Sequence, residues 1–177
     1  MMLLWRLSNA GDLQPRACPP GRWHGAGVPV IVLEASPAAA VLARLVLAEV
    51  THPDALPRGY QLLSVTTPGR SVSVADAPAP GQTDLRATRA IGDAWVASGQ
   101  SLLLRVPATS GGFQYLLNTA HPDMRQCRVT ASSAYPYAPH LGAMAKAIRD
   151  GADWLAAAGQ GGAREGSAAA VDGAARD

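Results

Sequence analysis

"GRWHGAGVPVIVLEASPAAAVLARLVLAEV", residues 21–50, joins a Gly-rich basic turn to a β-branched apolar run and then to a helix-like stretch with very few polar side chains. The run VPVIVLE carries no polar alternation, which predicts a buried strand rather than one with a wet face. Ser36 stands at an N-cap and Pro37 at the first helical position, where its missing N–H costs nothing. Val41, Leu42, Leu45, Val46 and Glu49 follow helical spacing, and Pro53 with Pro57 closes the segment.

Outward from this strand and helix, the same punctuation recurs. LLWRLSN reads as a strand running into a Pro- and Gly-rich loop, and GYQLLSVTTP as another strand followed by a loop from Pro68 to Thr83. Asp84 caps a helix on which Leu85, Thr88, Ile91 and Trp95 approximate one face, with Gly99 as its stop. SLLLRVP is the next strand, ATSGGF a loop, and Cys127 to Ser132 a last strand beyond YLLNTAHPD. A final helix is expected from His140 to Ala158, with Met144, Ile148 and Trp154 or Leu155 toward the core. The Gly-, Ala- and Ser-rich tail 159–177 cannot bury much apolar surface and is expected to be disordered.

The 177 residues accordingly read as one domain over 1–158, large enough to bury a real core. No apolar run reaches the roughly 18 residues of a membrane-spanning helix, and MMLLWRLSN has no basic region before its apolar residues. A cytoplasmic protein with no membrane association is expected. Fourteen Arg against one Lys would suggest nucleic acid, but the net charge is only +2 and the Arg are interspersed with Asp and Glu, so no direct nucleic-acid contact is expected. Cys18 and Cys127 make neither a metal motif nor a disulfide framework, and no metal is expected.

In order and spacing, WRLSNAGDL, GRWHGAGVPVIVL, SPAAAVLARLVLAEV, LPRGYQLLSV, ATRAIGDAWVASGQSLLLRVP and YLLNTAHPD resemble the RES-domain family, the toxin half of a class of bacterial toxin–antitoxin pairs. The resemblance covers about residues 3–141. It implies an α/β fold related to ADP-ribosyltransferases, in which a split sheet forms a central cleft for NAD. It further implies NAD degradation, by glycohydrolysis or ADP-ribosyl transfer, and an Xre-type antitoxin partner carrying a DNA-binding region and a domain that covers the cleft.

Residue by residue, the family's two arginines fall at Arg6 and Arg22. Their planar guanidinium groups suit bidentate capture of a pyrophosphate. The other family positions are emptied. The Tyr expected in the strand falls at Val32, the Glu expected within the helix at Ala43, and a His one turn later at Leu47. The Ser expected just after VP falls at Ala108, in a loop about two residues shorter than the family pattern. A carboxylate is needed to support the oxocarbenium charge that develops as nicotinamide leaves, so Ala43 is the gravest of these losses.

Two residues are candidate substitutes. Glu34 shares a strand face with Val32 by alternation, although its position near the strand end reads first as an exposed loop residue. Ser110, or Thr109, is placed to shift into the lost Ser position. His24 reads as solvent-facing in its Gly-rich turn, with the cleft mouth as the alternative. His121 and Asp123 read as a structural His-Pro turn; with Ser110 they supply the residue types of a triad without the nucleophile-elbow context. Two functions are therefore expected to compete: an NAD-consuming toxin with weakened chemistry, and a non-catalytic RES fold that engages an antitoxin, a nucleotide or another RES subunit.

Overall fold

A computed structural model describes residues 1–14, 19–47, 59–75, 84–108, 111–134 and 146. Nearly all of these belong to the unit Met1–Ala138; of the unit Pro139–Asp177 only Lys146 is described, and it is helical. The expected helix over 140–158, the tail, Ser110 and the stop at Pro53 and Pro57 otherwise lie outside the described residues.

Seven strands, β1 (Met2–Ser8), β2 (Val30–Glu34), β3 (Gln61–Thr67), β4 (Val72–Val74), β5 (Leu103–Pro107), β6 (Phe113–Asn118) and β7 (Arg128–Ala134), accompany helices α1 (Pro37–Leu47) and α2 (Leu85–Ser98). The strands lie in the order β4-β5-β6-β2-β1-β3-β7, antiparallel except for β4 against β5. β1 pairs with β3 from Met2↔Thr67 to Ser8↔Gln61, and β2 with β6 from Val30↔Asn118 to Glu34↔Gln114. Between β1 and β2 the ladder shrinks to the single pair Trp5↔Glu34. The sheet is thus split at its centre, the α/β, ADP-ribosyltransferase-like architecture that the resemblance implies.

Both faces of the central strands are covered, which explains the unbroken apolar run of β2. Alternation sends Ile31, Leu33, Leu103 and Leu117 to one core with Leu4, Leu63 and Val65, while Val30, Leu104, Val106 and Leu116 join Trp23 and Trp95 in the other. Leu33, Leu63, Leu103, Leu116 and Leu117 are fully buried, each stabilising the fold by about 1.5–3 kcal/mol relative to exposure.

The caps form as the sequence predicts. Ser36 Oγ accepts the Ala39 N–H at 3.1 Å, and Asp84 Oδ1 accepts the Arg86 N–H at 3.1 Å. Gly99 closes α2 in the left-handed region, at φ 58°. Two readings need correction. The loop expected from Pro68 to Thr83 contains β4, a three-residue strand too short for a periodic signal and made by the free edge of β5, with Val72 opposite Leu103. The last strand begins at Arg128, because Cys127 instead ends a 3-10 helix over Pro122–Gln126.

Candidate functional site

The Gly-rich turn that precedes β2 is clamped onto one face of α2. Thr88 Oγ1 donates to the Arg22 carbonyl at 2.6 Å, Arg89 Nε donates to the Gly21 carbonyl at 2.7 Å, and Asp93 Oδ1 accepts the Gly25 N–H at 2.8 Å. Gly92 lets the turn come this close: a Cβ there would stand 1.6 Å from the Trp23 carbonyl oxygen. A glycine inside a helix costs about 1 kcal/mol against alanine, and here the backbone approach explains it. Within the turn, the Gly21 N–H donates to the His24 carbonyl at 3.0 Å. His24 is buried at 8% exposure, which corrects the solvent-facing reading. The ring folds back over the turn, where a Cβ at Gly21 would stand 2.6 Å from its Nε2 and its Nδ1 lies 3.2 Å from the Gly25 carbonyl oxygen.

Arg22 is presented by this clamped turn, with its Nη1 buried and without a hydrogen-bond acceptor. An orphaned guanidinium N–H is costly to leave unmatched. That N–H can donate to an added oxygen acceptor. Its neighbour Trp23, 1% exposed, leads to the next group. Trp23 Nε1 donates to the Gln114 side-chain oxygen at 3.3 Å and the Gln114 amide nitrogen donates to Glu34 Oε1 at 3.3 Å, the amide orientation that satisfies both ends.

Glu34 is therefore not an exposed loop residue. It is the last residue of β2, 4% exposed, and stands directly opposite Gln114 on one side and Trp5 on the other. The burial follows from its position at the centre of the sheet, which the neighbouring residues in sequence do not report. Removal from water pushes its carboxyl up to about 7. Its Oε2 is buried without a partner. Val32 shares this face, as alternation predicts, and packs partly buried against the Trp23–Trp95 core.

Ala108, 4% exposed, follows Val106 by two residues and so falls on the Gln114 side. Its N–H donates to the Gly112 carbonyl and its carbonyl accepts the Gly111 N–H, each at 3.1 Å. This closes a narrow turn in which Gly111 and Gly112 both have positive φ. The position offers a methyl group where a hydroxyl is expected. Ala43 is half-buried on α1, which packs on β1 and β2.

Arg6 occupies a different setting. It lies on β1 one residue past Trp5, where β1 parts from β2. Burial pulls its pKa below the usual guanidinium value, Asp12 opposes that shift, and the like charge of Arg44 adds to it. Arg44 stacks over the Tyr60 ring, 4.7 Å from its centroid, and donates to the Tyr60 hydroxyl.

His121 and Asp123 are structural. His121 Nδ1 accepts the Asp123 N–H at 3.1 Å at the start of the 3-10 helix, and Asp123 Oδ1 accepts from Gln126 Nε2 at 2.6 Å. Trp95 lies in the core, its Nε1 donating to Ser101 Oγ at 2.8 Å. Cys127 is buried and its thiol pushed up to about 11, chiefly by burial, which keeps it a thiol at neutral pH. Among the described residues no group of three or more His, Cys, Asp or Glu side chains is placed to hold a metal ion, and no helix is long and apolar enough to cross a membrane.

Sequence reasoning placed Thr88 and Asp93 on α2 without their bonds to the turn, and missed Arg89, Gly92, Gln114, Arg44 and Tyr60. Gly92 carried a signal, as a glycine in the middle of an otherwise regular helix. The others resemble ordinary surface positions until the chain is folded.

The family model of the RES domain matches residues 3–139. The chain is 35% identical over 144 residues to "Toxin Res" of Pseudomonas putida, an alignment that covers 76% of this chain and 97% of that protein. Among solved structures, the crystal structure of the M. tuberculosis MbcT–MbcA toxin–antitoxin complex contains a chain of similar fold. Its TM-score is 0.61 at 18% identity, covering 80% of this chain and 89% of that one.

Proposed function

The chain belongs to the RES-domain family, and from that premise we propose that it is the toxin-type member of a bacterial toxin–antitoxin pair that binds NAD or a related nucleotide while cleaving it feebly or not at all. The observation that carries this reading is the set Val32, Ala43 and Ala108, apolar side chains where the family resemblance puts Tyr, Glu and Ser. Arg6 and Arg22 remain to meet phosphate, and the orphaned Nη1 of Arg22 supports a retained anion subsite. Losing one electrostatic stabiliser of a transition state costs about 3–4 kcal/mol, or two to three decades in rate.

Release of free nicotinamide from NAD, followed in time beside the Pseudomonas putida relative, tests the reading. We expect this chain to be slower by about a hundredfold or more; comparable turnover overturns it. ADP-ribose binding by calorimetry tests ligand retention separately.

A second reading, slow cleavage through a substitute carboxylate, is favoured by one feature: Glu34 keeps an unpartnered Oε2 on the face it shares with Val32. With its carboxyl at about 7, such activity rises as pH goes from 6 to 8, and Glu34→Ala abolishes it. Residual turnover that is unchanged in that variant removes Glu34 from consideration.

For the partner, an Xre-type antitoxin encoded beside this chain is the expectation, in a cytoplasmic complex whose DNA contacts come from the antitoxin. Co-expression of the two neighbouring genes gives a stable complex on this reading. A chain that elutes alone in the presence of its neighbour counts against it, and a self-associated form then becomes the alternative.

A further inference from the structure

We propose that Arg44 is the partner of Arg6 in a two-guanidinium subsite for the diphosphate of a nucleotide, a role that rests on the nucleotide-binding reading above and adds a residue to it. Arg44 lies on α1 immediately after Ala43, and α1 packs against β1, which carries Arg6. Its guanidinium is held from below by the Tyr60 ring at 4.7 Å and at one edge by the Tyr60 hydroxyl, which fixes its plane. A stacked guanidinium keeps its in-plane N–H groups for an acceptor. The Nε of Arg44 is buried and has no acceptor.

Among the described residues, Asp12 with opposite charge and Arg44 with like charge act on Arg6. Like charges brought together with part of their hydration removed destabilise the unliganded fold. A group carrying two negative charges and several oxygens relieves this, and two planar forks can each take a pair of oxygens. A single carboxylate matches only one of them. The helix position that loses its carboxylate at Ala43 is thus followed by a cation.

Calorimetric titration of the full chain with ADP-ribose and, separately, inorganic pyrophosphate tests the subsite, together with melting curves without ligand. For Arg44→Gln we expect a loss of about tenfold or more in affinity for both ligands. We also expect an unliganded melting temperature equal to or above that of the wild type, because a like charge beside Arg6 is removed. Tyr60→Phe, which keeps the stack and loses the hydroxyl, should weaken both ligands by about threefold, a smaller loss than that of one charged hydrogen bond. Unchanged affinity in Arg44→Gln, with a lowered melting temperature, overturns the proposal and makes Arg44 a structural residue. ADP-ribose binding that ignores Arg44 overturns the subsite and leaves the nucleotide reading standing. Arg44-dependent binding of pyrophosphate without any binding of ADP-ribose supports the anion subsite and overturns the nucleotide reading. Failure of both ligands to bind the wild-type chain overturns the two together.

Discussion

In the half of the sheet built from β1, β3 and β7, Arg6 shares its surroundings with a second guanidinium, Arg44. In the half built from β2, β6, β5 and β4, the ionisable group at the seam, Glu34, is buried and held toward its neutral form. The halves meet at one ladder pair, Trp5↔Glu34. Capture of an anion needs the first feature; departure of nicotinamide, which leaves as a neutral base and passes positive charge to the ribose, needs an ionised carboxylate, the opposite of the second. The two halves thus differ in the ionisable group at the seam, while Arg22, the second guanidinium proposed for anion capture, belongs to the turn before β2.

The largest effect is expected on the Glu34 side, at Gly92. Gly92→Ala drives a Cβ into the Trp23 carbonyl, so the turn must leave α2 and give up its bonds to Thr88, Arg89 and Asp93. A loss of about 4 kcal/mol, or roughly 10 °C in Tm, is expected in thermal melts, with Arg22 no longer contributing to anion binding. An unperturbed Tm would show that the turn is not clamped as described.

Next is the pH dependence of Glu34. Burial raises its carboxyl from an ordinary 4.5 to about 7, so the folded state prefers the protonated acid. The associated stability is fully present below pH 4.5 and lost as pH rises through 7, amounting to about 3 kcal/mol by pH 8. Denaturant midpoints at pH 5 and pH 8 should therefore differ in the wild type, and Glu34→Gln should flatten this component. An equal drop in both proteins would place the titrating group elsewhere.

Asp93→Ala leaves the Gly25 N–H without its acceptor and should cost about 2 kcal/mol by denaturant melts. It should also weaken ADP-ribose binding in the same direction as Arg22→Gln. A stability loss without any change in binding would separate the clamp from the anion site. The smallest effect expected is a gain: Ala43→Glu restores a carboxylate to α1, and nicotinamide release should rise by about tenfold, with the Val32 and Ala108 positions still unsuited to the chemistry. No rise would count against position 43 as the place from which a carboxylate supports cleavage.

Much of the fold was legible because its signals are local. Ser36 with Pro37 and Asp84 with Gly99 mark helix ends through bonds that span two to four residues, and the unbroken VIVL run marks a strand covered on both sides. β4 was not legible, since three residues carry no period and its existence depends on the edge of β5. In the site, Val32, Ala43 and Ala108 could be named from residue identity alone. The burial of His24 and Glu34 could not, because an acid after an apolar run and a histidine among glycines look alike whether or not another element covers them.

The sequence by itself marked β1, β2, β3, β5 and β7 and the two helices in order, the helix caps, the presence of Arg6 and Arg22, and the absence of the expected Tyr, Glu and Ser side chains. These depend on residue type and on neighbours a few positions away. Only the tertiary structure decided that the Arg22 turn is clamped through Gly92, that Glu34 is drawn toward neutrality, and that α1, which carries Arg44, packs against β1, which carries Arg6. Desolvation and charge coupling are set by what lies across a packed interface, and the residues that meet there are 16 to 80 positions apart in the chain: Arg44 and Tyr60 by 16, Gly25 and Asp93 by 68, Glu34 and Gln114 by 80.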